Sequence, residues 1–286
     1  MNVTQMRDIS EAILPSMTEA ELANWYRQEG THVISHQGRY WKETVLGFYE
    51  PLHWIARLSA EQATSPTRLC WGFRAVLCEA DAAFANGSMP VHLLSNIESY
   101  GLQNLSSNRR DHLRKCLKRV KIVELTDSAL LQEQGYEVVL SCLTRTAYTK
   151  PPSKADYLAG LADYFAPGRR LILAGMIGDK LGGYLTGYAV SETAYMEDAM
   201  LATEALSTNL GTGLRFEFVK LCQRSGNIRE IVSGLHCRED RALCIFKQGM
   251  GFPVQHLPTR VQINPLIENA IRWRYPHKYY RLTGHD

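Results

Sequence analysis

Between residues 171 and 252 the spacing of apolar positions changes period several times, and each change marks an element. LILAGMIG, starting at Leu171, is a short apolar run; Asp179-Lys180 interrupts it and LGGYLTGYAV follows. A polar turn at Ser191-Glu192-Thr193 leads into AYMEDAMLA. Three short runs bounded by turn residues predict three strands. Beyond Asn209-Leu210-Gly211-Thr212-Gly213 the period lengthens. Leu214, Phe218, Leu221 and Cys222 fall at i, i+4, i+7 and i+8, one stripe of an amphipathic helix, with Arg215, Lys220, Gln223 and Arg224 off it. Gly226 is a helix stop, IREIVSGL reads as a further strand, and Asp240 is placed to cap a last helix that ends before Gly251-Phe252. The order is strand, strand, strand, glycine loop, helix, strand, helix.

The flanking chain is read the same way. Residues 1–30 are expected to be helical, with Ile9, Ile13 and Leu14 on one stripe and a capping box at Thr18 and Glu21 ahead of LANWY. Residues 31–59 are expected to be β-rich, with Trp41, Tyr49 and Trp54 as packing residues. RLCWGFRAVLCEADAAFAN holds an apolar run that suits a buried strand, Asn86 to Pro90 breaks it, and VHLLSNI reads as the next strand. The clearest helix of the first half starts at Ser107, with Leu113, Leu117 and Val120 as its buried stripe. KIVELTD then reads as a strand, and SALLQEQGYEVVLSCLTRTAY as one helix or two pieces hinged near Gly135. The proline break from Tyr148 to Lys154 places a boundary between 1–150 and 151–286. KADYLAGLADYFA is a helix, and WRYPHKYYRLTGHD is read as a final strand and tail.

At 286 residues, 45% hydrophobic and 21% charged, the chain matches an ordinary globular protein. No apolar run reaches the length of a membrane span, and the N-terminus shows no secretory segment, so a cytoplasmic location is expected. Seven cysteines are scattered without a CxxC pair or a histidine at metal-ligand spacing; neither a disulfide framework nor a metal site is expected. A net charge of +3 is too small to imply nucleic-acid binding by itself. Charge is concentrated instead. Arg110, Arg114, Lys115, Lys118 and Arg119 cover one helix, which is either a solvated face or a wall for phosphates and polyanions. The C-terminal run interleaves Arg272, Arg274, His277, Lys278 and Arg281 with Trp273, Tyr275, Tyr279 and Tyr280, a composition that covers a core or stacks on bases.

The window Thr208-Asn209-Leu210-Gly211-Thr212-Gly213, placed after a strand and before an amphipathic helix, resembles the donor loop of the GNAT acyltransferase superfamily. That loop follows the pattern Gln/Arg-x-x-Gly-x-Gly/Ala; both glycine positions match, and Thr208 departs from it. The physical logic is that small residues let backbone approach phosphate while helix N-terminal amides and the helix dipole favour its charge. Phe246-Lys247 ahead of Gly251-Phe252, the basic helix RRDHLRKCLKRV and, more loosely, the tail are similar to the Fem family of peptidoglycan-bridge transferases. That family is built from two GNAT-like halves and uses aminoacyl-tRNA. The resemblance implies an α/β fold with a mixed central sheet in two related halves, the first degenerate. It implies an N-acyltransferase that takes an acyl-CoA-type donor, or aminoacyl-tRNA, as substrate rather than as a permanently bound cofactor, and an amine-bearing acceptor. A GNAT-like domain without catalysis, binding a ligand or partner, is the third alternative.

Acyl transfer to an amine needs a proton acceptor, a donor for the oxyanion and a proton for the leaving group. Glu197 and Asp198 are neighbours on a predicted strand, so only one faces any cleft, and Glu197 is favoured. His236 follows the strand IREIVSGL and has the intrinsic pKa of an acid/base. Lys247 stands near where the superfamily often has a tyrosine, and a cation there would neutralise a leaving group or its phosphates.

Overall fold

The expected succession of strands and helices from 171 to 252 is present in a computed structural model, which describes residues 6–166 and 168–285; the expected glycine loop is not a loop, because Leu210–Gly213 form the first turn of the helix that follows. In chain order the elements begin with β1 (Met6–Asp8), β2 (Ser16–Met17), α1 (Glu19–Gln28), β3 (Val33–His36), β4 (Arg39–Val45), β5 (Phe48–Pro51), β6 (Gly72–Val76) and β7 (Gly87–Ser95). Then come α2 (Ser107–Leu117), β8 (Lys121–Leu125), α3 (Tyr136–Thr146), α4 (Lys154–Tyr164), β9 (Leu171–Ile177), β10 (Lys180–Val190) and β11 (Thr193–Leu201). The last are α5 (Leu210–Ser225), β12 (Glu230–Leu235), α6 (Arg241–Gly249), β13 (Val254–Ile263), α7 (Pro265–Arg274) and α8 (Pro276–Thr283). The fold is α/β, and its strands pair in both senses.

Two compact units are assembled from interleaved segments. The first takes the chain through Ser16, Leu94–Ser233 and Gly249–Phe252; the second takes Met17–Leu93, Gly234–Gln248 and Pro253 onward. A division at residue 150 does not coincide with either unit.

The first unit holds strands in the order β1-β8-β9-β10-β11-β12. All pairs are antiparallel except β11 with β12, which run parallel because α5 carries the chain over between them. The stripe read from sequence is the buried one: Leu214, Phe218, Leu221 and Cys222 are fully excluded from solvent. Strand glycines make room for this helix. A Cβ on Gly175 would lie 2.1 Å from Leu210 Cδ1, and one on Gly187 would lie 2.5 Å from Phe218 Cε2. Gly226 ends α5 at φ +76°, a conformation glycine adopts without steric cost.

The second unit holds the order β7-β13-β6-β5-β4-β3, antiparallel except for β5 with β6. Its core gathers Trp41, Tyr49, Phe73, Leu58 and Leu77, with Trp41 and Phe73 edge to face at 5.9 Å. The Thr18–Glu21 capping box forms as expected and starts α1. Asp240 also caps α6, accepting from the amide of Leu243 at 2.9 Å.

Four expectations are corrected. Of residues 6–30 only Glu19–Gln28 are helical; Met6–Asp8 pair with β8, and Asp8 then takes the amide and hydroxyl of Ser10 in a side-chain turn that helix geometry would forbid. Pro90 does not break the chain but lies inside β7 opposite His256, and its carbonyl accepts from the amide of His236. On α2 the buried residues are Leu113 and Cys116, while Leu117 is half exposed, so the stripe is rotated by one position. The C-terminal run is helical: Asn264 caps α7, and Pro265 and Pro276 occupy first-turn positions, where a missing N–H costs nothing. Residues 1–5 of the expected N-terminal helix lie outside the described residues.

Candidate active site

Within the first unit β11 and β12 pair only briefly. Thr193, Ala194 and Tyr195 register with Glu230, Ile231 and Val232, and beyond Tyr195 no register continues. Just past that point β11 carries a bulge. Leu185 pairs with Ala199 and Gly187 with Met196, so Glu197 and Asp198 together oppose Thr186 alone. Thr186 is wholly buried and its hydroxyl accepts from the amide of Asp198 at 3.1 Å. The bulge interrupts the regular alternation at Glu197 and Asp198, and each side chain has its own partner. Arg170 Nε donates to Glu197 Oε2 at 2.8 Å, and the same guanidinium lies 5.0 Å from the centre of the Tyr164 ring. The Tyr164 hydroxyl donates to Asp198 Oδ2 at 3.3 Å. Burial first, and the Asp198 carboxylate second, push the Tyr164 phenol well above its ordinary range, so it stays a proton donor. Neither Arg170 nor Tyr164 was singled out by sequence; nothing in their spacing relative to Glu197 signals the contact.

The glycine segment is also in the first unit. A 3-10 turn, Glu204–Thr208, precedes it, and the buried Thr208 hydroxyl donates to Ala205 carbonyl at 2.7 Å. Asn209 takes a left-handed conformation at φ 61° and opens α5. Its carbonyl already accepts from the amides of Thr212 at 2.9 Å and Gly213 at 3.4 Å. The two glycines differ in role. A Cβ at Gly213 would lie 2.5 Å from Cys116 Sγ, so this residue is small because α2 packs there. At Gly211 a Cβ would meet Leu201 at 3.0 Å and Arg215 at 3.6 Å. Arg215 donates to the Gly211 carbonyl at 3.3 Å; burial, and then the like charge of Arg109, pull its guanidinium down to about 10.

On α2, Arg114, Lys115 and Lys118 are exposed, and Arg110 is partly buried and donates to Leu105 carbonyl. Arg114 is engaged by Asp111 one turn earlier. Arg109, outside the expected basic set, turns inward beside His112 at 3.1 Å and against Gly249.

His236 and Lys247 belong to the second unit, Glu197 to the first. Lys247 is buried on α6, with Nζ 3.4 Å from the position a Gly234 Cβ would take. His236 lies beside two side chains that sequence reading left aside. Its Nδ1 is 3.3 Å from His92 Nε2 on β7 and 3.3 Å from Cys244 Sγ on α6. Burial, then Arg238, His256 and Lys247, lower its pKa, while Glu239 opposes them.

No protein-family model and no curated protein sequence matches the chain. Solved structures do. One, described as the C-terminal DUF2156 domain of a lysylphosphatidylglycerol synthetase from Agrobacterium fabrum, superposes with a TM-score of 0.60 at 11% identity, over 93% of this chain and 96% of that one. FemX superposes with a TM-score of 0.60 at 8% identity, over 92% and 96%. A conserved protein of unknown function from Bacteroides thetaiotaomicron gives 0.57 at 12% identity, over 88% and 94%. The expected α/β fold with a mixed sheet is the one the chain adopts, and its architecture is like that of FemX. Among the described residues no helix is long and apolar enough to cross a membrane.

Proposed function

We propose that the protein forms an amide bond, moving an acyl or aminoacyl group from an activated donor to an amine. The observation that carries this reading is the parting of β11 from β12 immediately before a bulge that presents two carboxylates, Glu197 and Asp198, with Arg170 and Tyr164 beside them. A bulge re-aims side chains at the point where a ladder opens. Glu197 is positioned to accept the ammonium proton, directly or through one water, with Arg170 fixing its orientation. The amine attacks the donor carbonyl, the bond to the leaving oxygen or sulfur breaks, and that atom takes up a proton.

Aminoacyl-tRNA is the donor we favour. Likeness to FemX over nearly the whole chain and the exposed Arg114, Lys115 and Lys118 support it. The acyl-CoA alternative is supported by the strand, glycine segment and helix order, but Gly213 is accounted for by packing and Thr208 turns its hydroxyl back onto its own turn. The test is a transfer assay with a set of charged tRNAs, with acetyl-CoA and longer acyl-CoAs, and with small amines and amine-bearing cell-wall or lipid precursors as acceptors. A labelled aminoacyl group passing from tRNA to an amine is the expected result. Transfer from CoA alone would replace the donor assignment, and failure of every donor to transfer or to raise the melting temperature would favour a binding protein without catalysis.

A further inference from the structure

His92, His236 and Cys244 are far apart in sequence, and the second unit brings them together. His92 comes from β7, His236 from the turn that leaves β12, and Cys244 from α6. Their Nε2, Nδ1 and Sγ atoms all lie within 4.8 Å of one another. Two of the separations are fixed at 3.3 Å, Nδ1 to Nε2 and Nδ1 to Sγ. A tetrahedral zinc ion with bonds of about 2.0–2.1 Å to nitrogen and 2.3 Å to sulfur spaces its ligands roughly 3.3 Å apart for two nitrogens and 3.6 Å for nitrogen and sulfur. The two separations at His236 Nδ1 stand near those values.

The Cys244 thiol donates to the Cys237 carbonyl at 3.2 Å, and of the facing His92 and His236 nitrogens only one carries the proton between them, so a cation would take the place of two hydrogens. A ring nitrogen has one in-plane position, either a lone pair or a proton. His236 Nδ1 meets two partners at the same distance. A cation at the centre would satisfy all three atoms at once. The ligands are also fixed in place. The His236 amide donates to Pro90 carbonyl at 2.9 Å, the Cys244 amide to Asp240 carbonyl at 3.1 Å, and the His236 ring meets Tyr280 edge-on at 6.1 Å. His92 and Cys244 are buried while His236 is only partly so, which leaves one side open.

We propose that His92, His236 and Cys244 form a binding site for a zinc-class divalent cation. Two imidazoles and a thiolate select zinc or cobalt over magnesium and calcium, which need oxygen ligands. Binding displaces the Cys244 thiol proton to solvent, so the zinc–sulfur bond forms as the sulfur–hydrogen bond breaks, with no change of oxidation state. The thiolate charge offsets part of the repulsion from Lys247 and Arg238 nearby. Three protein ligands leave a fourth position for water or a substrate atom. Such a site is independent of the transfer reaction, and it gives His236 to the metal rather than to proton transfer.

The test uses the full chain, stripped with a chelator and titrated with zinc by calorimetry and with cobalt by absorption. One equivalent should bind, and cobalt should show a thiolate charge-transfer band together with intense tetrahedral visible bands. Cys244→Ser should abolish the charge-transfer band and weaken binding by more than the roughly 10–100-fold that losing an outer-shell partner costs. Cys237→Ser should leave both unchanged. His92→Gln is read only where circular dichroism shows a folded chain; Cys244→Ser, a change of one atom, keeps the proposal falsifiable otherwise. Absence of stoichiometric binding, or a cobalt spectrum untouched by Cys244→Ser, overturns it.

Discussion

Glu197 owes its position to a neighbour that no spacing rule identifies. Arg170 holds it at 2.8 Å and also lies over Tyr164, so one guanidinium organises the carboxylate and the phenol together. If Glu197 accepts the ammonium proton, Glu197→Gln lowers kcat by roughly 10²–10⁴-fold with little change in donor affinity. Arg170→Lys keeps the charge and loses the fork, so it should recover part of the activity that Arg170→Ala loses. A full-rate Glu197→Gln enzyme would remove this residue from the mechanism.

Between elements, α2 and α5 meet through Gly213 and Cys116, whose sulfur fills the space a Cβ would need. Gly213→Ala gains up to about 1 kcal/mol of helix propensity. It also forces a 2.5 Å approach, and overpacking typically costs about 1–3 kcal/mol, so the net effect is a loss of stability. Chemical denaturation should show that loss, and pairing the change with Cys116→Ala should restore much of it. Donor affinity of the folded variant should be unchanged, because the glycine serves packing. The outer face of α2 makes its own prediction. Reversing Lys115 and Lys118, both exposed, should weaken tRNA binding. The slope of log affinity against log salt should fall by about 0.7–0.9 for each phosphate that is no longer neutralised. An unchanged slope would make this face a solvated one.

At the scale of the whole molecule the interleaving of segments has a consequence for truncation. β9 pairs with β8, which belongs to residues before 150, and β13 pairs with β6 and β7, which do as well. Fragments 1–150 and 151–286 each lose strand partners, so neither should give a cooperative unfolding transition or dispersed amide resonances, whereas the full chain gives both. The sequence by itself determined the local grammar: the order of strands and helices from 171 to 252, the α5 stripe, and the Thr18 and Asp240 caps. These follow from periodicity and capping chemistry, which act over a few residues. Tertiary structure decided the rest, because it depends on contacts between distant positions. Met6–Asp8 became a strand because β8 offered an edge. The bulge that sets Glu197 and Asp198 arises from register with Thr186. His92, His236 and Cys244 carry no metal spacing in sequence, since three separate elements supply one atom each, and only the folding of β7, the end of β12 and α6 into one unit brings those atoms together.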